Sequence, residues 1–388
     1  MMDGLNALFS GVMDLDLPKV GMYAIGIVLI WLAIKKDYEP MLLLPIGFGA
    51  ILVNLPFAVI WSHDGSSGIL QMLYQSGIVT ELLPCLIFIA VGAMIDFSEL
   101  IKNPRMLFFG AAAQFGIFFT IVAALFLDKT LNLGLGIDLK IASAIGIIGA
   151  ADGPTSIVVA SKFAPEFLGP ISVAAYSYMA LVPIIQPPVI KALTTKKERR
   201  IRMSYQNRTV SKGVLIAFPI AITLIAGIVA PLCVPLVGML MFGNLIRVSG
   251  VLERLSAAAQ NELANLVTLL LGITIGATLR ADQFFQWQTL FIMTLGLVAF
   301  IFDTAGGVLF AKFINLFTKT KINPMVGAAG ISAFPMSARI VQRMATAEDP
   351  HNFILMQSSS ANVAGQIGSV IAGGMILTLV PWLQTLGL

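Results

Sequence analysis

Ten apolar runs follow one another along this chain, at residues 20–34, 41–61, 82–95, 106–127, 168–190, 213–230, 232–242, 263–279, 285–311 and 353–386. So many runs cannot share one water-soluble core, whereas a bilayer accommodates each as a helix of about 20 residues. Charged residues supply only 11% of the 388 positions, against about 25% in soluble domains, which excludes the soluble class. Backbone groups in lipid must be satisfied within the segment, so the spans are helices. The sequence therefore predicts an all-α polytopic membrane protein with about ten transmembrane helices.

Loop charges orient these spans, because cytoplasmic loops collect Lys and Arg. Lys35-Lys36 closes the first run and is read as cytoplasmic, which leaves residues 1–19 as an N-terminal outer segment. Eight Lys or Arg against one Glu (Lys191, Lys196, Lys197, Arg199, Arg200, Arg202, Arg208, Lys212) make residues 191–212 a basic cytoplasmic linker. The net charge of +4 gives no reason to expect nucleic acid, since the basic residues lie in membrane-flanking loops. Cys85 and Cys233 fall inside apolar runs and read as small core residues, and no removable signal peptide is expected. Counting crossings, residues 137–190 must traverse the membrane an odd number of times to bring the basic linker inside. One element there is therefore broken or re-entrant.

The strongest candidate is Gly146-Ile-Ile-Gly-Ala-Ala-Asp-Gly-Pro-Thr-Ser-Ile157. Pro154 donates no backbone hydrogen bond and disfavours helix just before it. An acid at the bilayer centre costs about 2.5–3.5 kcal/mol even on the lenient insertion scale. Irregular backbone at that depth persists only where protein or a wet cavity surrounds it. Asp152, with the Thr155 and Ser156 hydroxyls and carbonyls freed by the break, offers hard oxygen ligands suited to sodium. Asp before Pro is equally good helix-capping grammar, and the two roles are compatible. The proline-rich run at 168–190 is an alternative place for the interruption.

The two halves echo each other. Phe88-Ile-Ala-Val-Gly-Ala-Met-Ile-Asp-Phe97 leads over a long helix to Asp152-Gly-Pro-Thr-Ser156, and Leu271-Gly-Ile-Thr-Ile-Gly-Ala-Thr-Leu-Arg280 leads similarly to Phe334-Pro-Met-Ser337. The spacing is 62 residues from Gly92 to Pro154 and 59 from Gly276 to Pro335, with opposite predicted orientation. This pattern predicts two inverted-topology membrane repeats, residues 20–190 and 213–388, whose interrupted or re-entrant helices build a site near the midplane. Asn323, Ser332, Ser337 and Arg339 are the polar groups of the second break. Arg339 suits a carboxylate partner, or else snorkels to headgroups with Arg343. In the last run, expected to be a span plus an interrupted piece, Asn362 and Gln366 exceed what close packing requires. Tyr178 is a phenol within a span, read as a core or interfacial tyrosine or a site residue, and Asp303 is a second intramembrane acid. His63 and His351 have no metal-ligand company, and no nucleotide loop appears.

The segment around Asp152-Gly-Pro-Thr155, the Asn323-Pro-Met-Val-Gly327 stretch running to Ser332 and Arg339, and Asn362-Val-Ala-Gly-Gln-Ile-Gly-Ser369 together resemble the membrane beta subunit of the sodium-pumping, biotin-dependent decarboxylases, the oxaloacetate, methylmalonyl-CoA and glutaconyl-CoA enzymes. The resemblance spans residues 20–374. It implies a membrane carboxybiotin decarboxylase that couples carbon dioxide release to sodium export and consumes a proton. It implies sodium and biotin as cofactors, the biotin carried on a partner. Carboxyltransferase, biotin-carrier and small gamma/delta-type membrane subunits are the implied partners, within a homo-oligomer-containing complex in the inner (plasma) membrane of a bacterium or archaeon. By resemblance Asp152, Tyr178 and Arg339 are catalytic, Asp152 holds the metal, and Asn323, Gly327, Ser332 and Asn362 complete the sodium site, with Arg339 beside the carboxybiotin. The chain's length tilts toward an acyl-CoA type. The rival is a stand-alone sodium-coupled carboxylate transporter, which inverted repeats and broken helices serve equally well.

Overall fold

The structure, a computed structural model, describes residues 14–36, 39–58, 60–63, 66–130, 134–204, 209–334 and 336–385. Pro335 and Arg208, singled out above, lie outside these residues. Helices dominate: α1 (Leu17–Lys36), α2 (Pro40–Val53), α3 (Ile69–Val79), α4 (Leu82–Met94), α5 (Pro104–Thr130), α6 (Leu139–Gly146), α7 (Gly153–Phe163), α8 (Leu168–Ala180), α9 (Val182–Leu193), α10 (Lys212–Val229), α11 (Pro231–Ser249), α12 (Glu253–Gly276), α13 (Trp287–Phe317), α14 (Met325–Ala328), α15 (Met336–Glu348) and α16 (Leu355–Thr385). A two-residue hairpin, Ser62–His63 on Ser66–Ser67, closes the loop after α2. Among the described residues, six helices are long and apolar enough to cross a membrane, and counting two bent pairs as spans gives eight.

Both bent pairs have visible causes. α3 and α4 meet at 60°, with Glu81 in the left-handed region at φ 62. The proline-rich run at 168–190 breaks at Leu181, the flanking helices diverging by 68°. Both candidates for the interruption in the first half are therefore broken. The last run differs from expectation: it is one continuous helix, α16, of 31 residues, with no interruption. Its small residues serve close packing. A Cβ on Gly365 would lie 2.1 Å from the Gly330 carbonyl oxygen, so the backbone of the second break runs directly against this helix.

Helix packing is reciprocal between the halves. α2 of the first half crosses α12 of the second, where a Cβ on Gly276 would meet the Ile46 carbonyl at 2.2 Å. Conversely, α11 of the second half crosses α4 of the first, and Cβ atoms on Gly92 and Gly243 would lie 1.9 and 2.0 Å from the carbonyls of Leu240 and Ile89. The long helices α5 and α13 cross where Gly116 meets Ala299 and Asp303. Glycine at these points is required by contact, since any side chain would drive the backbones apart.

The loop between the halves is clamped. Arg199 is buried and pairs with Glu348 at 2.7 Å, and Arg202 pairs with Asp349 at 2.7 Å. Hydrogen bonds from these guanidinium groups hold the Glu348 and Asp349 carboxyls below the usual carboxylate range.

Candidate functional site: a buried carboxylate between two broken elements

The first break follows from local chemistry. A 3-10 turn, Ile147–Ala150, leads into Ala151, which adopts φ 52 and ψ 42. A left-handed alanine costs about 1–2 kcal/mol and persists only where the surroundings impose it. Asp152 is then extended, and α7 starts at Gly153 with Pro154 in its first turn, where a missing N–H does no harm. Asp152 thus occupies the capping position and also faces the protein interior. The helix N-terminus beneath it favours negative charge.

The second break supplies its wall. After α14 the chain is non-helical through Ser332 and Phe334 before α15 resumes. The two breaks are joined directly: the Ser332 N–H donates to the Ala150 carbonyl at 3.1 Å. Asp152 Oδ2 accepts from Thr155 Oγ1 at 2.8 Å, Ser369 Oγ at 2.7 Å and Gln366 Nε2 at 3.3 Å. The Ser332 hydroxyl in turn reaches Ser369 Oγ and the Gly365 carbonyl. A carboxylate, three hydroxyls and a carboxamide therefore converge from α7, the second break and α16. No Lys, Arg or His pairs with Asp152 among the described residues. This is a hard-oxygen donor set carrying one negative charge, suited to a monovalent alkali cation. Groups of three or more His, Cys, Asp or Glu able to hold a metal are absent among the described residues.

Asp152 lies in the wall of a cavity of about 420 Å³, lined also by Ser332, Gln366, Tyr176, Asn265 and Thr268. The lining also includes Glu39 and Met41 at the start of α2, Met94 at the end of α4 and Ala264 in α12. Arg247 at the end of α11 donates to the Met94 carbonyl at 2.8 Å, and Glu39 follows closely on Lys35-Lys36. The cavity therefore runs from Asp152 toward the end whose charges mark it as cytoplasmic.

The structure distributes the other sequence candidates differently. Asn362 lies on the α16 stretch that also carries Gln366 and Ser369, and it donates to the Ile331 carbonyl at 2.6 Å, bracing the second break. Asn323 donates to the carbonyls of Arg199 and Ile201, both at 2.9 Å, and so ties the basic linker to the entry of the break. Gly327 abuts Gly307 of α13, where its Cβ would lie 2.0 Å from the carbonyl oxygen. Ser337 is paired with Gln186 of α9. Tyr178 turns away and donates to the Met293 carbonyl at 2.6 Å. Arg339 is exposed on α15, outside the cavity lining, and has no ion pair among the described residues. Two participants were not anticipated. Ser369 was indistinguishable from packing serines, and Tyr176 lies against Gly153 with its hydroxyl buried and unpartnered.

The family described as "Na+-transporting oxaloacetate decarboxylase beta subunit" matches residues 18–380. The chain belongs to that family. Among curated members, the oxaloacetate decarboxylase beta chain of Haemophilus ducreyi is 47% identical, over 98% of this chain and 99% of its own. The glutaconyl-CoA decarboxylase subunit beta of Acidaminococcus fermentans is 49% identical over 92% of each chain. The methylmalonyl-CoA decarboxylase subunit beta of Propionigenium modestum is 47% identical over 95% of this chain and 97% of its own. Members named for three different substrates thus stand at nearly equal similarity, and similarity of this kind does not choose among them. Within this chain's fold, the Asp152 cluster is the point where both broken elements and α16 converge.

Proposed function

We propose that this chain is the carboxybiotin-decarboxylating, sodium-exporting beta subunit of a biotin-dependent decarboxylase complex in the inner membrane of a bacterium or archaeon. The observation that carries this reading is Asp152, buried with hydroxyl partners at a cavity running to the predicted cytoplasmic end. Carboxybiotin, brought by a biotin-carrier subunit, enters from that end. Its carboxylate first meets Arg339, whose guanidinium is exposed, has no ion pair among the described residues and suits bidentate capture. Besides Asp152, Glu39, Ser332 and Tyr176, the cavity lining offers Asn265, Thr268 and Gln366 as neutral hydrogen-bonding groups on a largely apolar surface, which suits a ureido ring.

Decarboxylation breaks the N–carboxyl bond, releases carbon dioxide and requires one proton on the biotin nitrogen. The Tyr176 phenol, unpartnered beside Gly153, is better placed at the cavity than Tyr178, which we assign to the proton and sodium route through its contact with α13. Sodium is cargo in this scheme. Asp152, Thr155, Ser332, Gln366 and Ser369 hold it, while Asn362 and Asn323 fix the break that presents Ser332. Reciprocal crossing of α2 on α12 and α11 on α4 supports a two-repeat carrier, residues 20–190 and 213–388, that exposes this site alternately to each side. Carboxyltransferase and small gamma/delta-type subunits complete the complex, with several copies of this chain.

The test is decarboxylation of free carboxybiotin by the purified complex with and without sodium. Sodium-dependent carbon dioxide release is expected. Carboxylate counterflow by the chain alone, with no carboxybiotin turnover by the complex, assigns it instead to sodium-coupled symport.

A further inference from the structure

Asp152 is one of two buried acids among the described residues, and the other, Asp303, is unused by the scheme above. It sits at mid-length of α13, where that helix crosses α5. α5 is interrupted there at Gln114, between Leu107–Ala113 and Phe115–Thr130, which frees backbone N–H groups at the start of its second segment. Asp303 Oδ1 takes the Ile117 N–H at 3.1 Å and so caps that segment from a neighbouring helix.

The second oxygen, Oδ2, is buried and has no hydrogen-bond partner among the described residues. It points at the first broken element, since a Cβ on Gly149 would lie 2.7 Å from it. Gly149 is three residues before Asp152. No cationic side chain pairs with Asp303 among the described residues. In the same helix pair, the buried hydroxyls of Thr304, next in sequence, and Thr120, one turn beyond Gly116, also lack partners. An isolated carboxylate is not tolerated in such surroundings, because its charge must be matched by a cation or removed by a proton.

We propose that Asp303 is a second monovalent-cation site, distinct from the Asp152 cluster, in which Oδ2 holds a sodium ion or a proton against the broken turn at Gly149. Its loading bears on the turn that presents Asp152, so the two sites share one backbone element.

Bound 22Na+ and the infrared spectrum of the purified complex test this in wild type, D152N, D303N and the double variant. Asn keeps an oxygen to accept the Ile117 N–H, so D303N retains the cap while losing the charge. If the cation is sodium, D152N keeps one bound sodium per chain that the double variant lacks. If it is a proton, D152N shows a protonated-carboxyl stretch that the double variant lacks. The proposal is overturned if D152N shows neither residual sodium nor that band, or if D303N alters neither quantity. The first of these needs no Asp303 substitution, so a D303N that does not fold leaves the question decidable. A sodium count in D152N equal to wild type contradicts the Asp152 reading instead, and D303N then decides Asp303 by itself.

Discussion

Removing the Ser369 hydroxyl is the sharpest probe of the cluster. In Ser369→Ala, Asp152 Oδ2 loses its shortest contact, 2.7 Å, and the Ser332 hydroxyl loses its link to the carboxylate. A hydrogen bond to a charged group contributes about 1.5–3 kcal/mol. The sodium-bound state loses an oxygen ligand, while the sodium-free state loses a donor to the carboxylate, so the two losses partly offset. Thr155 and Gln366 remain in both states. The net effect is therefore expected just below that range, about 1.4 kcal/mol, or about tenfold in the half-saturating sodium concentration. The assay is sodium titration of carboxybiotin decarboxylation by the purified complex. Ser360→Ala on the same helix is the control, because the Ser360 hydroxyl is buried without a partner. Half-saturation within twofold of wild type in Ser369→Ala would refute Ser369 as a sodium ligand.

Gly327 is expected to act through packing. Gly327→Ala forces a Cβ to 2.0 Å from the Gly307 carbonyl and lowers stability by about 1–3 kcal/mol, read as a drop in the detergent melting temperature, with sodium half-saturation unchanged in the folded fraction. The clamp between linker and α15 is expected to be acid-labile. Because the Glu348 and Asp349 carboxyls titrate lower when folded than unfolded, their contribution is present above the ordinary carboxylate range and fades as pH falls through their depressed values. Limited proteolysis within residues 191–212 should accelerate on acidification and in high salt, and in Glu348→Gln already at neutral pH. A cleavage rate independent of pH, salt and substitution contradicts the clamp.

Much of the site was legible because membranes make certain residues expensive. Asp152 beside Gly153-Pro154 stood out in an apolar run, and Ser332 followed from the spacing of the echo between halves. What stayed hidden depended on helix rotation. Tyr176 and Tyr178 are two residues apart and point to different sides of α8, yet that helix is buried nearly all round and carries no polar face to orient it. Ser369 was obscured for a related reason: in a run of Ser, Ala and Gly, a hydroxyl aimed at an acid reads like one that merely lets helices approach. The length of that run suggested a span plus an interrupted piece, whereas it forms one helix whose Gly365 accommodates the neighbouring break at Gly330. Asn323 and Gly327 entered through resemblance as sodium ligands. Their contacts in the fold are with the linker backbone and with α13.

The central claim is that the charge on Asp152 carries the sodium. It is tested most directly by 22Na+ transport in proteoliposomes containing the complete complex, comparing wild type with Asp152→Asn, an isostere that keeps an acceptor for Thr155 and Ser369. The account predicts a complex that assembles normally but neither transports sodium nor responds to it in decarboxylation. Sodium transport at the wild-type rate in Asp152→Asn would contradict it.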